Sequence, residues 1–347
     1  MTLEHGFITL EEHFMTPETI AAHQDVNAIK DWHPGVDLSF VVLPSLTEKL
    51  VDVGEQRIKD MDAGNVQLQI LSHAPVCLPN EPSTETCKQA NETAFKAIQQ
   101  NPSRFKGFAW LNMRDQDAAI KELRLRISQG FLGVFLDDHT ADGERYDNPS
   151  FWPVFEAAEE LDVPIYLHPT FAPSPHSEKA QLGSSSKHAG HYPPVVAGML
   201  SSAALSWHSE TAIHILRLFS SGLFERFPKL KIVLGHDGEG LPFFYDRIVK
   251  GLRWFSIGPE GAKQTRTFET VWKENLWFTT SGMFGLGPIA CMLQVIHPSR
   301  IMYSIDYPFS TTQSGQEFME KLKSSGLVNE EQWEGIAYKN AKTLLKL

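Results

Sequence analysis

Eight short apolar runs, each followed by a loop and then a helical pattern, constrain this 347-residue chain more than any other feature. The runs are Ile8–His13, Leu68–His73, Gly107–Leu111, Leu132–Leu136, Pro164–His168, Lys231–His236, Leu276–Thr280 and Ile301–Asp306. Continuous apolar runs of this length read as strands buried on both faces, as in a parallel sheet. Helical spacing of apolar residues appears over Ser45–Met61, Thr84–Gln100, Asp115–Ser128, Pro149–Leu161, Ser209–Phe224, Gly240–Leu252, Leu286–Ile296 and Gln313–Leu322, with a last helix over Glu330–Leu345. Strand–helix alternation implies parallel pairing, and eight strands close a barrel. The expected fold is therefore an α/β (β/α)8 TIM barrel with a C-terminal helix, and an open doubly wound sheet is the alternative. With no repeat and no shift in composition, residues 1–347 read as a single barrel domain.

Two long connections, Phe14–Pro44 and Pro169–His208, follow the first and fifth runs. They lie on the face where barrel active sites form. Inserted loops of that length are usually functional; the second is irregular, with Pro173, Pro175, Gly183, Ser184, Ser185 and Ser186.

Composition excludes several partners. The net charge is −11 and no cluster of Lys or Arg appears, which argues against a nucleic-acid backbone. An anionic small molecule stays possible, because a metal ion can reverse the local field. No apolar run is long enough to span a membrane, and the first residues lack a basic stretch followed by an apolar one. Three scattered cysteines, Cys77, Cys87 and Cys291, make neither a disulfide framework nor a CxxC pair. A cytoplasmic setting is expected.

Polar, metal-competent side chains end five of the eight runs: Glu11-Glu12-His13, His73, His168, His236 (followed by Asp237 and Glu239) and Asp306. Alternation along a strand puts Glu11 and His13 on one side and Glu12 on the other. Joined by His168 and Asp306, they form a mixed nitrogen and oxygen donor set suited to Zn²⁺ or Mn²⁺. One buried histidine alone would read equally well as a hydrogen-bonded core residue. Several at the same end of successive strands do not, because buried charge is costly unless paired or metal-bound. His73 reads equally well as a packing residue, Glu12 as facing outward against helices, and His208 and His214 as structural. A carboxylate three residues after His236 can hold the imidazole's tautomer and raise its pKa, making His236 and Glu239 a substrate-orienting or proton-shuttling pair. Alternatively Glu239 caps the next helix. Arg247 either serves a carboxylate across a subunit contact or pairs with Glu239.

These positions carry a resemblance. LEEHF at Leu10–Phe14, YLHP at Tyr166–Pro169, the stretch from Glu210 to His236, GEGLPF at Gly238–Phe243, TTSG at Thr279–Gly282, SIDYPF at Ser304–Phe309 and the closing Asn340–Leu347 resemble the amidohydrolase superfamily. Within it the likeness is to the aminocarboxymuconate-semialdehyde decarboxylase branch, on the side of the γ-resorcylate (2,6-dihydroxybenzoate), 2,3-dihydroxybenzoate and salicylate decarboxylases. The resemblance implies metal ligands at Glu11, His13, His168 and Asp306, with Zn or Mn and sometimes Mg. It implies proton handling by Asp306 with His236 and Glu239, and substrate contacts at Arg247, His73 and Phe309. It also implies a small aromatic carboxylic acid as substrate, reversibility towards phenol carboxylation, and a homodimer or homotetramer. A metal-dependent hydrolase such as a lactonase on the same site is the alternative. Against it, Glu11 stands where such hydrolases commonly carry the first His of His-x-His. The sequence departs from the relatives at Asp237, at Leu136-Asp137-Asp138-His139, and at His168–Phe171 with its serine-rich continuation, where substrate shape would be read.

Overall fold

The computed structural model describes residues 6–23, 35–39, 43–75, 82–173, 188–254 and 264–347. Cys77, Pro175, Gly183 and Ser184–Ser186 lie outside the described residues; Cys87 is buried and Cys291 half-buried. Eight strands pair in sequence order: β1 Phe7–Phe14, β2 Val66–His73, β3 Phe105–Trp110, β4 Gly133–Asp137, β5 Ile165–His168, β6 Ile232–Leu234, β7 Leu276–Thr279 and β8 Ile301–Met302. Every pair from β1–β2 to β7–β8 is parallel. Helices surround them, giving the (β/α)8 barrel that the alternation implies. Apolar side chains such as Ile70, Val134, Phe135, Ile165, Ile232, Phe278 and Ile301 are fully buried in a core that runs through the whole barrel.

Closure of the barrel is local to the functional end. β8 leaves the regular ladder after Met302, four residues before the apolar run ends at Asp306. The hydroxyl of Ser304 accepts from the backbone N–H groups of Leu10 (3.2 Å) and Glu11 (2.7 Å). Asp306 N–H donates to the carbonyl of Glu11 at 3.1 Å, and His13 N–H to that of Tyr307 at 2.6 Å. The bonds that close the sheet thus fix the residues that end its first and last strands. Glu12 departs from its expected setting: it points away from Glu11 but is fully buried. It accepts from Ile305 N–H at 3.1 Å and from the Gln69 amide at 3.1 Å, so it ties β1 to its two neighbours.

Several helices are shorter or more broken than the periodicity suggests. The Ser45–Met61 segment forms two helices, Pro44–Val51 and Glu55–Ala63, interrupted at Gly54. The last helix is a pair, Glu330–Glu334 and Asn340–Leu345, joined by a π turn over Gly335–Lys339. Both long connections contain helices, Pro17–His23 and Pro194–Ser201. Thr84–Gln100 has its expected bounds, with Ser83 Oγ accepting from Thr86 N–H. Among the described residues no helix is long and apolar enough to cross a membrane.

Behind β4 lies a buried polar cluster. Asp138 takes the Arg145 guanidinium and the Thr211 hydroxyl (3.0 Å). His214 Nε2, on helix Ser206–Ser220, accepts from Tyr146 N–H at 3.1 Å. Burial first, then Arg145, Arg217 and His139, hold the His214 pKa well below the ordinary imidazole value. His214 is therefore neutral in the fold, whereas the unfolded chain takes up a proton below about pH 6.5. Stability linked to it is present above that pH and is lost as pH falls. In His214→Gln the amide oxygen can accept from Tyr146. Urea unfolding should show this variant losing about 1–2 kcal/mol less stability than wild type between pH 7 and pH 5. An equal loss would remove His214 from the acid response.

Candidate active site

The C-terminal ends of β1, β5 and β6 and the segment after β8 bring Glu11, His13, His168, His236 and Asp306 together. His168 Nε2 lies 3.0 Å from Glu11 Oε1. His13 Nε2 lies 3.6 Å from that oxygen and 3.3 Å from Asp306 Oδ1. His236 Nε2 lies 3.4 Å from Glu11 Oε1 and 3.9 Å from Asp306 Oδ2. Glu11 Oε1 and His13 Nε2 are buried and have no hydrogen-bond partner. Orphaned polar atoms of opposite character that face one point are costly unless something binds between them. A cation held at about 2.0–2.2 Å spaces its ligand atoms by about 3 Å or more, as found here. The donor set therefore fits a divalent Zn²⁺ or Mn²⁺, with Glu11, His13, His168 and Asp306 as candidate ligands and His236 within reach.

The electrostatics agree with that fit. Burial alone would raise the Glu11 carboxyl, but the imidazoles of His236 and His168 hold it well below the usual carboxylate range. Burial opposes charge on His13, yet Asp306 and Glu11 push it up to about 9. A cation at this point therefore competes with protons for the same ligands.

Four supporting residues escaped the sequence reading. The Tyr166 hydroxyl donates to Glu11 Oε2 and sits 2.6 Å from Thr279 Oγ1. Burial, then Glu11, raise its pKa well above the phenol value, so Tyr166 remains a donor. Alternation along β5 puts Tyr166 on the same side as His168, the signal that could have found it. Ser304 holds the backbone of Glu11, as described above. At Gly235 a Cβ would stand 2.5 Å from Glu11 Oε2 and 3.0 Å from the Tyr166 hydroxyl. Only glycine leaves the carboxylate room.

After Gly235 the chain makes a left-handed turn: φ is 48° at His236, 54° at Asp237, 80° at Gly238, 58° at Glu239 and 79° at Gly240. Non-glycine residues in this region cost about 1–3 kcal/mol each and cluster at functional sites. The turn lets His236 Nδ1 donate to Glu239 Oε1 at 2.8 Å. Glu239 therefore holds an imidazole, and helix Leu241–Trp254 starts beyond it. Burial opposes charge on His236, but Glu239 and then Glu11 push it up to about 10.

A cavity of about 290 Å³ opens above these groups. Asp306, His13, His168 and His236 form its polar floor, and Met15, Leu46, Leu50, Phe171, Trp207, Met283 and Phe309 its apolar walls. The Phe309 ring meets His13 edge-on with centroids 5.6 Å apart. Asp306 is the partly open carboxylate, its side chain 17% exposed against 0% for Glu11. Other expected contacts sit elsewhere. His73 is buried behind the wall, stacked on Trp110 at 4.0 Å with Thr19 Oγ1 3.1 Å from its Nε2. Arg247 is exposed and lines a neighbouring cavity of about 500 Å³. Asp137, Asp138 and Asp237 do not line the first cavity; Asp138 props the barrel wall through Arg145.

Comparison with known proteins follows the same lines. The amidohydrolase family profile matches residues 43–347. Decarboxylase orsB of Emericella nidulans is 41% identical over 309 residues, covering 88% of this chain and 89% of its own. A γ-resorcylate decarboxylase of Rhodococcus jostii is 34% identical, covering 99% of each chain. The crystal structure of a dihydroxybenzoic acid decarboxylase from Polaromonas, with bound manganese and the inhibitor 2-nitroresorcinol, superposes with a TM-score of 0.80. It is 31% identical and covers 99% of this chain and 97% of its own.

Gly235→Ala leaves an ordinary backbone, φ being −77°, so the crowding from its Cβ falls on the Glu11 carboxylate. The variant should bind Mn²⁺ or Zn²⁺ at least about tenfold more weakly in a chelator competition titration, an effect of the size seen when groups supporting metal ligands are disturbed. Unchanged affinity would show that Glu11 does not need the room.

Proposed function

Because the chain belongs to the amidohydrolase family, we propose that it is a metal-dependent carboxy-lyase that decarboxylates an o-hydroxy aromatic acid of the 2,6- or 2,3-dihydroxybenzoate or salicylate type, without redox change. The observation that carries this reading is the juxtaposition in one cavity. A cation-binding cluster and an open carboxylate, Asp306, lie on the floor, and the walls are apolar and of a size to take one aromatic ring. The family's relatives named above support it.

A divalent ion held by Glu11, His13, His168 and Asp306 would act as a Lewis acid there and stabilise negative charge on the phenol. The chain's own groups do the rest. Phe309, Trp207 and the aliphatic wall exclude water and hold the ring face. Asp306 delivers a proton to the ring carbon that bears the carboxylate, forming a C–H bond. The carbon–carbon bond then breaks, CO₂ leaves, and its electron pair restores the aromatic ring. His236, held by Glu239, orients the phenol oxygen. Run backwards, the same steps carboxylate a phenol. We further assign the metal ligands to Glu11, His13, His168 and Asp306, and Phe309 to the substrate.

The chain acts in this proposal as one barrel domain in the cytoplasm, assembled as a homodimer or homotetramer. Assembly is supported by exposed apolar side chains around the second cavity, among them Phe243 at 77%, Leu205 at 64% and Phe244 at 57%. Light scattering of the purified protein tests it; a monomer at micromolar concentration would refute it.

Purified protein loaded with Mn²⁺ or Zn²⁺ should release CO₂ from at least one of salicylate, 2,3- and 2,6-dihydroxybenzoate, and hydrolyse none of a lactone panel. The opposite pattern would transfer the site to hydrolysis. Asp306→Asn keeps an oxygen ligand, so it should retain metal while kcat falls about 100-fold or more. Near-wild-type turnover would end the proton-donor role.

A further inference from the structure

We propose that His208 is a positioning residue for the His236–Glu239 pair, the third member of a hydrogen-bonded His–Glu–His array. Its Nδ1 lies 2.6 Å from Glu239 Oε2, while His236 Nδ1 lies 2.8 Å from Oε1 of the same carboxylate. One buried anion, 3% exposed, thereby receives an imidazole at each oxygen. The two rings stand edge to face with centroids 4.6 Å apart.

The same three residues could be taken for a metal cluster, since their donor atoms lie within 4.8 Å of one another. The spacing points to hydrogen bonds. The N···O separations, one within and one just below the range for charge-assisted hydrogen bonds, are both shorter than the 3.0–3.6 Å spacings around Glu11 Oε1. Both Glu239 oxygens have partners, whereas Glu11 Oε1 and His13 Nε2 have none.

The consequence follows from the lone pairs. A carboxylate held at one oxygen only can rotate about its last bond and carry its partner imidazole with it. Held at both, it is fixed, and it fixes His236 with Nδ1–H towards Glu239 and Nε2 towards the cavity. His208 is itself anchored at Nε2, which as a neutral ring accepts from the Trp207 indole N–H at 3.3 Å and as an imidazolium donates instead to the Ala203 carbonyl at 3.0 Å. Trp207 also lines the first cavity, so the residue that walls the substrate and the residue that steadies Glu239 are neighbours on one helix. His208 thus has a positioning role that its helical location alone does not reveal.

The kinetic arm of the test rests on the decarboxylase reading; the spectroscopic arm does not. His208→Asn places an amide N–H close to the position of Nδ1 and can still donate to Glu239. His208→Leu cannot, and His208→Gln carries its amide near the Nε2 position instead. Expected are a kcat within about threefold of wild type for H208N, and a loss of about 10- to 100-fold for H208L and H208Q, with KM changed less than about twofold and metal content unchanged. Wild-type kcat in H208L, or an equal loss in H208N and H208L, would overturn the proposal; should H208L not fold, H208Q decides. Independently, proton NMR of the metal-loaded protein should show low-field, exchange-protected signals from the two Nδ1–H groups. The His236 signal should persist in H208N and shift or broaden in H208L or H208Q. A His236 signal unchanged in all three variants would overturn the array even if no aromatic acid were turned over.

Discussion

The structure depends on one buried carboxylate. Glu11 sits at the end of β1 with no exposed surface, and a charge there is tolerable only with compensation on every side. Below it the Tyr166 hydroxyl donates to one oxygen; above it three imidazoles face the other. Its backbone N–H and C=O are bonded by Ser304 and Asp306, the residues that bring the eighth strand back to the first. Barrel closure and site assembly are therefore a single event. A chain that failed to seat Glu11 would leave both an open sheet edge and an unpaired buried charge.

This coupling explains what the sequence made legible. The strands announce themselves as apolar runs because the barrel buries them on both faces, and Glu11, His13, His168, His236 and Asp306 stand out because each is a costly group ending such a run. Alternation also separated Glu11 from Glu12. What alternation does not encode is the depth of packing beyond the barrel wall. Glu12 thus read as facing outward against helices, yet it bridges Gln69 and Ile305 in the interior. The break at Gly54 and the π turn at Gly335–Lys339 interrupt segments whose apolar periodicity is continuous. Beside them the Arg57 and Asn340 side chains donate to backbone carbonyls of distant segments.

The residues that stand away from the first cavity do so for different reasons. His73 ends a strand as His168 does, but its ring turns behind the wall onto Trp110, a choice made by a stacking partner that is 37 positions away. Arg247 lies on helix Leu241–Trp254, beyond the left-handed turn at His236–Gly240, and is exposed at the second cavity. Asp138 is acidic and follows a strand, yet Arg145 and Thr211 claim it for the scaffold. For His73 and Asp138 residue type and strand position suited chemistry, and the competing neighbour was invisible until the chain folded.

Two populations of contact now divide the site by function. Around Glu11 Oε1 the separations are 3.0 Å and longer, and Glu11 Oε1 and His13 Nε2 lack hydrogen-bond partners, which is how ligand atoms stand when a cation is to come between them. Around Glu239 they are 2.6 and 2.8 Å and every oxygen is engaged, which is how a carboxylate stands when it is to keep imidazoles still. His236 belongs to both: its Nδ1 is committed to the second population and its Nε2 faces the first. A group in that position can respond to charge developing in the cavity without moving its ring. Preorganised response of this kind is what a reaction needs when negative charge appears on a ring and disappears within one turnover.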